Sequence, residues 1–402
     1  MTARKYLLLF ALAVPGSVFA LTQPDISAIG DFRGYTGNWI DSTDAKTSRN
    51  GNFNMRFEEL EVVLSGYLNP FAKAQIVIST PGDGLEIEEA YATIFKGLPL
   101  KTEVRIGQFL VDFGKLNLSH AHAYPFVDRP VVHRVLFGLD GFKDQGVSMN
   151  CVLPTRFYSK LSFNVLKGSV VGEDEAVEDP LDGRYTHAPI LTSRLNGFWS
   201  LSTKADMDIG VSGFIGRYKG RGAYGTGDAE LGYRNLYARM AALDGKCKIR
   251  PNDYSSLTLQ GELILNSRDL FTDVFEKRSN WGAFAFVDYR FRKRYNIGFA
   301  VDRAPGIYDN GDGDYEQNIP VERSNTATAA FDDKNATKSF ALFTGYSLLE
   351  ETTLFRLTAR WTSFNISDSS RLVDGSVESK RGEFTLSAQM IFSLGPHKPH
   401  EF

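Results

Sequence analysis

A period-two alternation of apolar and polar residues recurs along almost the whole chain. In the segment from Glu383 to Leu394, Phe384 and each second residue after it are apolar, and most of the residues between them are polar. One such segment would also suit a strand of a soluble sandwich. Repeated about 16 times in an exported chain, the pattern instead predicts a closed barrel with its apolar face toward lipid and its polar face toward a lumen.

An even number of alternating segments is typical of bacterial outer-membrane barrels. The segments lie near 26–38, 53–67, 71–79, 86–96, 100–109, 145–153, 156–166, 189–202, 205–217, 231–243, 254–266, 279–291, 295–303, 338–347, 352–364 and 382–394. Short connections, with 244–253 as their longest member, alternate with long polar ones at 40–52, 110–144, 167–188, 218–230, 267–278, 304–337 and 365–381. The sequence therefore predicts an all-β fold, a transmembrane antiparallel up-and-down barrel with both ends on the periplasmic side.

The first 20 residues predict a secretory signal peptide. Arg4 and Lys5 precede a short apolar run, and small residues precede Ala20. Residues 21–402 are expected to form one barrel domain, because no linker or composition shift divides them. These features predict a location in the outer membrane of a Gram-negative bacterium, in contact with lipid and lipopolysaccharide. The net charge of −3 and the lack of Lys or Arg runs argue against nucleic-acid binding.

The two cysteines, Cys151 and Cys247, are too few for a disulfide scaffold. They fall on hairpins that are not adjacent in sequence, so whether they pair stays open at this point.

The connection from Leu110 to Asp144 is too long and too aromatic for an ordinary loop. Counting turns makes it the third external loop. We expect it to fold into the lumen as a constriction, with its aromatic side chains as anchors. Its charged residues Asp112, Lys115, Arg129 and Arg134 are then candidates for the narrowest point.

Strand parity assigns a second set of charged side chains to the lumen. The early strands contribute Glu59, Glu61, Glu89, Glu103 and Arg105, and the later ones contribute Lys160, Arg194, Arg239, Arg356 and Arg360. An acidic arc facing basic residues would create a transverse field and bias ion passage. The excess of Arg and Lys on the later strands favours anions. The alternative is a set of wall ion pairs that neutralise one another.

His120, His122 and His133 share the long loop with Asp112 and Asp128, so a zinc site can be drawn from imidazole and carboxylate ligands. Ordinary hydrogen bonding and proton-sensitive gating are the alternatives. The run from Asp309 to Asp314 resembles part of a calcium loop, but Pro320 stands where the twelfth-position glutamate is expected. No nucleophile motif of the G-x-S-x-G type appears, and the sequence predicts no enzyme.

The segment Arg105 to Phe109, continuing into Val111 to Gly114, together with Glu89-Ala90-Tyr91, resembles the phosphate-selective porin O and P family. That resemblance implies a 16-stranded porin and a homotrimer. The arginine ladder and lysine cluster that select phosphate in the family do not map onto this sequence. The run Leu118 to His122, with His133 and the chain end from Gly395, also resembles zinc-associated outer-membrane barrels.

Two functional hypotheses follow. The leading one is an outer-membrane porin that passes small hydrophilic solutes by passive diffusion, with a preference for anions such as phosphate-like or organic anions. The alternative is a substrate-specific barrel that binds or takes up a metal ion or metal chelate, such as zinc, through the loop histidines.

Overall fold

The computed structural model describes residues 24–37, 53–80, 84–138, 140–168, 187–222, 232–271, 275–305, 336–349, 352–364 and 381–396. They form sixteen strands and one helix, α1, Val131–Phe137. The strands β1 to β16 are, in order, Asp25–Gly37, Asn54–Asn69, Ala72–Ser79, Glu86–Ile94, Thr102–Leu110, Lys143–Val152, Tyr158–Leu166, His187–Ser202, Ala205–Gly222, Gly232–Asn252, Ser255–Phe271, Phe275–Phe291, Tyr295–Ala304, Thr337–Leu349, Thr353–Phe364 and Arg381–Leu394.

Each strand pairs antiparallel with its neighbours in sequence, and β1 closes the barrel by pairing with β16. The alternation explains which face points outward. Val211 and Leu265 are 55% and 52% exposed on the outside, whereas Ser212 and Asn266 beside them are 2% and 3% exposed. An apolar exterior around a polar interior is the arrangement expected of a barrel in lipid. The predicted fold class is confirmed.

Aromatic side chains gather at the end of the barrel that carries the short turns. Tyr289, Phe291, Tyr295 and Tyr346 form a continuous stacked row across three strands, with successive ring centroids 6.0, 5.3 and 5.0 Å apart. Rings with one apolar side and one polar group are favoured at the boundary between lipid and water. The row therefore marks the membrane edge on the short-turn side.

Two connections were predicted wrongly. The long connection predicted at 267–278 is mostly strand, because β11 runs to Phe271 and β12 begins at Phe275. The sequence pattern ends the tenth strand near residue 243, but β10 continues to Asn252, so residues 244–253 are mostly strand. Gly245, Lys246 and Cys247 interrupt the apolar alternation, yet each pairs with β9 and β11. The extension matters because it places Asp244, Lys246 and Lys248 on the wall.

A hydrophobic core lies inside the barrel. Aromatic residues of the segment 111–142 pack against apolar side chains on the inner faces of β7 to β14. Phe126, for example, has ring centroids 5.4 Å from Phe286 and 5.5 Å from Phe343. The segment contains α1 and two 3₁₀ turns, Leu116–Leu118 and Ala121–Ala123, so it is more regular than a simple loop.

Several sequence predictions lie outside the described residues. They are the signal peptide, the calcium-like run Asp309 to Asp314 and the chain end after Pro396. Within the described residues, no helix is long and apolar enough to cross a membrane. Cys151 and Cys247 are both free thiols.

Candidate functional site

The segment 111–142 contacts the inner face of the wall at many points, and its two ends meet at Asn117. This fully buried amide donates to the carbonyls of Val111 and Phe142, at 2.8 and 2.9 Å, and accepts from the Phe142 amide at 2.7 Å. Because an unpaired buried amide would be costly, these three bonds close the base of the segment as one unit.

The body of the segment hydrogen-bonds to lumen-facing side chains of three strands. Its backbone amides donate to Ser212, Thr358 and Asp302 on β9, β15 and β13, at 3.0, 3.2 and 3.3 Å. Arg356 on β15 donates to the carbonyl of His122 at 2.9 Å, and Arg360 donates to that of Asp128 at 3.4 Å. Bonds to strands spread around the barrel hold the segment across the lumen.

One charged group, the Asp112 cluster, fixes the start of the segment to β7, β8 and β10. Asp112 lies 2.8 Å from Lys160 and 3.1 Å from Arg194, and it accepts a 2.6 Å bond from Ser162. Arg194 also pairs with Asp244 at 2.7 Å. Burial opposes ionisation of Asp112, but the two cations outweigh it and hold its pKa below the usual range. The cluster has two carboxylates for two cations, so its charges balance.

Lys115 attaches the segment to β9, which lies between β8 and β10. Its Nζ lies 2.9 Å from the Asp208 carboxylate on that strand. The Lys115 side chain is 24% exposed, so water screens this pair more than it screens Arg194.

The wall opposite the Asp112 cluster is acidic because two β-bulges lie in it. The pairing of β1 with β2 skips Glu58, and the pairing of β3 with β4 skips Glu88. A bulge inserts one residue and re-aims its side chain. Glu88 therefore joins Glu89 near the loop, although strict alternation would send one of the two to lipid.

The sequence motif Arg105 to Phe109 supports the second bulge. The Gln108 side-chain amide donates to the carbonyls of Ile87 and Glu88, at 2.6 and 3.1 Å. Gly107 has φ +136, and a Cβ there would lie 2.1 Å from the Ala90 carbonyl, so only glycine fits. Arg105 stacks on Tyr91 and Phe109, with its guanidinium 4.4 and 5.6 Å from the ring centroids.

The bulges and the loop together form a second charged group, the Glu61 cluster, made of Glu58, Glu59, Glu61, Glu88 and Glu89 with His120 and His122. His120 Nδ1 lies 3.4 Å from Glu61 Oε2 and 3.3 Å from Glu88 Oε2. His122 Nδ1 lies 3.4 Å from the same Glu61 oxygen, and the two imidazoles stack at 5.5 Å.

Two electrostatic features show how crowded the Glu61 cluster is. Burial lowers the pKa of His120, but Glu61, Glu88 and Glu89 together raise it to about 10. Glu59 lies beside Glu61 and Glu88 and adds a further carboxyl to the cluster. Arg33 reaches the edge of the cluster at Glu58, 3.5 Å away, but its shorter bond is to Asp31 at 2.7 Å. Carboxylates outnumber the cations here.

The predicted metal ligands do not all come together. His133 lies on α1, is fully buried, and faces Glu262 of β11 at 3.3 Å. Its ring packs against Phe137 and Phe284, with centroids 5.5 and 5.4 Å away. Asp112 and Asp128, the predicted carboxylate ligands, contact Lys160, Arg194 and Arg33 instead. The His120 neighbours are Glu61, which was predicted for the lumen, and Glu88, which was not.

One lumen assignment is wrong. Arg239 shares the outward parity of Leu243, is 42% exposed, and pairs with Asp269 on the outside at 3.5 Å. The error arises because Ala238, Met240 and Ala242 are apolar yet face inward, where they join the core of the loop. When the inner face of a strand is apolar, the rule that apolar residues face lipid assigns its side chains to the wrong faces.

The other predicted residues lie inside the barrel in different settings. Arg129 is buried within the loop, where it donates to the Asp140 carbonyl at 3.2 Å and lies over Tyr124. Arg134 is half-buried on α1. Glu103 shares the inward face of Arg105, near the short-turn end of β5, and is exposed.

A cavity of about 950 Å³ lies between the loop and the wall and reaches the short-turn end of the barrel. Three carboxylates line it, Glu61, Asp208 and Asp288. Nine basic side chains line it as well, and they are Lys115, Lys160, Arg194, Lys246, Lys248, Arg290, Lys293, Arg294 and Arg356. The cavity is therefore strongly basic, although the chain as a whole is slightly acidic.

Comparison with known proteins gives the fold its context. No protein-family model matches the chain. An uncharacterised protein of Aquifex aeolicus is 28% identical over 264 residues, which cover 61% of this chain and 53% of the relative. The chain thus spans about half the length of the curated relative that it matches.

Three solved structures share the architecture, each with a TM-score of 0.55, 10% identity and 92% of this chain covered. They are the outer membrane channel DcaP of Acinetobacter baumannii, OprB of Pseudomonas putida, and an anion-selective porin from Comamonas acidovorans, covered over 97%, 94% and 99% of their lengths. At 10% sequence identity, the similarity shows only that the folds are alike. These structural neighbours are outer-membrane channels and porins, and the resemblance to the phosphate-selective O and P family stays a prediction.

Proposed function

We propose that this protein is a passive channel of the Gram-negative outer membrane that passes small hydrophilic solutes and prefers anions. The observation that carries the proposal is the basic cavity, which nine Lys and Arg side chains and three carboxylates line. Asp112, Asp244 and Asp208 pair with three of these cations, Lys160, Arg194 and Lys115, and the other six outnumber the remaining lining carboxylates, Glu61 and Asp288. Charge of one sign inside a low-dielectric wall raises the local concentration of ions of the opposite sign. Small organic anions and phosphate-like ions are the solutes that suit it.

The segment 111–142 is the constriction in this proposal. Most of its aromatic residues are buried in the barrel core, and its polar residues Lys115, Ser119, His120 and His122 line the cavity. Lys115 and the wall residues Lys160, Arg194 and Arg356 are the basic side chains beside it. A narrow passage between a fixed loop and a charged wall selects solutes by size and by charge.

The chemistry in this proposal is transport alone, with no enzymatic step. Two solved structures with the same fold are named as an outer membrane channel and as an anion-selective porin, which supports a channel here. The outer-membrane location, the contact with lipopolysaccharide and the homotrimer belong to the same proposal.

Single-channel recording of the purified, folded chain in planar bilayers tests the proposal. We expect stepwise conductance, and a reversal potential in a KCl gradient with the sign of chloride permeation. Folded protein that inserts into the bilayer and conducts nothing would refute the channel.

A second candidate function is uptake of a metal ion or metal chelate. It is favoured by the two stacked loop histidines beside buried carboxylates. Zinc flux into vesicles that carry the barrel would separate the two functions, because uptake requires flux to saturate at low zinc, whereas a passive channel passes zinc in proportion to its concentration.

A further inference from the structure

We propose that Glu61, Glu88 and His120 form a binding site for a divalent transition metal, which joins the loop to strands β2 and β4. The three ligand atoms lie within 4.8 Å of one another. The site takes its ligands from three separate parts of the chain, β2, β4 and the loop, so a bound ion would cross-link the segment 111–142 to the barrel wall. This inference stands apart from the channel proposal, because binding can be measured without transport.

The distances fit a metal better than they fit hydrogen bonds. His120 Nδ1 lies 3.4 Å from Glu61 Oε2 and 3.3 Å from Glu88 Oε2. Charge-assisted hydrogen bonds between such groups are shorter, about 2.7 to 2.9 Å. Tetrahedral zinc with bonds of about 2.0 to 2.1 Å holds its ligand atoms about 3.3 to 3.4 Å apart. The observed separations match two edges of that tetrahedron.

The donor set indicates which ions would bind. Imidazole nitrogen with carboxylate oxygen suits zinc and the neighbouring first-row divalent metals, while calcium takes six to eight oxygen ligands. Three protein ligands leave one position open for water or for a further side chain. His122, whose Nδ1 lies 3.4 Å from Glu61 Oε2, is the nearest histidine to that position.

Both the charges and the geometry around the three ligands favour a bound cation. Glu61, Glu88 and Glu89 lie within 4.0 Å of the His120 imidazole, and a divalent cation would offset their repulsion. The bulge at Glu88 and the Gln108 side chain that bonds its carbonyl keep one ligand aimed at the loop. The Glu61 side chain is 4% exposed and lines the cavity, as His120 does, so the site meets solvent through the cavity.

Isothermal titration of zinc into the full-length folded barrel, first stripped with a chelator, tests the inference. We expect one zinc ion to bind per chain and to raise the unfolding midpoint. Calcium in excess should not displace it. Cobalt in place of zinc should give the intense visible absorption of a tetrahedral site.

Glu88→Gln and His120→Ala should each weaken zinc binding by more than about 100-fold, since ligand loss exceeds the 10- to 100-fold cost of losing a supporting bond. Glu103→Gln is the matched control, because Glu103 also faces inward but lies outside the cluster. If His120→Ala does not fold, Glu88→Gln carries the test, since it keeps the size of the side chain.

The double variant His397→Ala with His400→Ala checks for binding by the other histidines near the chain end. We expect it to bind zinc as the parent does. Absence of binding in the parent, equal affinity in Glu88→Gln and Glu103→Gln, or loss confined to the His397 and His400 variant would each overturn the proposed site.

Discussion

The segment 111–142 meets the barrel wall through two charged clusters that are built in opposite ways. In the Asp112 cluster each carboxylate has a cation within 3.1 Å, and the two charges of each sign cancel. In the Glu61 cluster Glu61, Glu88 and Glu89 lie within 4.0 Å of the His120 imidazole, and Glu61 also contacts His122. The Asp112 cluster is neutral without a further ion, and it holds the segment 111–142 to the wall. The Glu61 cluster keeps an excess of negative charge, as a cation site does.

The largest expected effect comes from breaking the balanced cluster. Asp112→Ala leaves Lys160 and Arg194 facing each other without the carboxylate between them, and should lower the free energy of unfolding by about 3 kcal/mol. Urea unfolding of the folded barrel in detergent measures it. Lys115→Ala is the control, because its partly exposed pair with Asp208 should contribute about 0 to 1 kcal/mol. Equal losses in both variants would remove the distinction between a buried and a screened attachment.

Acid should weaken the balanced cluster only at low pH. Lys160 and Arg194 hold the pKa of Asp112 below its usual range, so Asp112 contributes stability above about pH 3.9 and loses it as the pH falls through the lower folded value. Asp112→Asn should therefore destabilise the barrel at pH 7, and the difference from the parent should shrink below about pH 3.9. Urea unfolding of both chains over this range tests it. A difference that grows toward acid would contradict the assigned role.

Removing a carboxylate from the crowded cluster should cost far less. Without metal, Glu88→Gln should change the free energy of unfolding by less than about 1 kcal/mol, because the lost attraction to His120 is offset by the relief of like-charge repulsion with Glu61. The same urea experiment measures it, with Glu103→Gln as the reference. A loss of unfolding free energy as large as that of Asp112→Ala would show that the two clusters stabilise the fold equally.

The smallest effect is expected at Gln108, which positions Glu88 without touching the histidines. Gln108→Ala removes the bonds to the carbonyls of Ile87 and Glu88, and should weaken zinc binding by about 10-fold. Gln260→Ala is the matched control, because Gln260 lines the cavity on β11 and lies away from β4. If the two variants bind zinc equally well, the bulge does not depend on Gln108.

The sequence predicted most of the fold, because a period of two repeated along sixteen strands suits few architectures besides a closed barrel. It predicted less well where that period is broken. Glu88 was missed because a bulge gives it the same face as Glu89, and no pattern of residue types announces a bulge. Arg239 was misplaced because the strand that carries it is apolar on its inner face, toward the loop.

A signal for that inner core was present in the sequence. In Phe284-Ala285-Phe286-Val287 both faces of β12 are apolar, which a strand between lipid and water would not need. Such two-faced strands mark the wall against which an internal segment packs. Similarly, His120 and His122 were predicted as metal ligands from their spacing, but their neighbours Glu61 and Glu88 come from strands about 30 to 60 residues earlier, and only the closed barrel brings them together.

The central claim is that the interior charge of this barrel favours anions, and reversal potentials test it most directly. In a KCl gradient across a planar bilayer, the current through the parent channel should reverse at a potential displaced from zero toward the chloride equilibrium potential. Lys246→Gln, Lys248→Gln and Arg290→Gln combined should move the reversal potential toward zero, because these three cations lie on the inner faces of β10 and β12. A parent channel that reverses on the potassium side would contradict the account, since the Glu61 cluster and not the basic cavity would then govern ion passage.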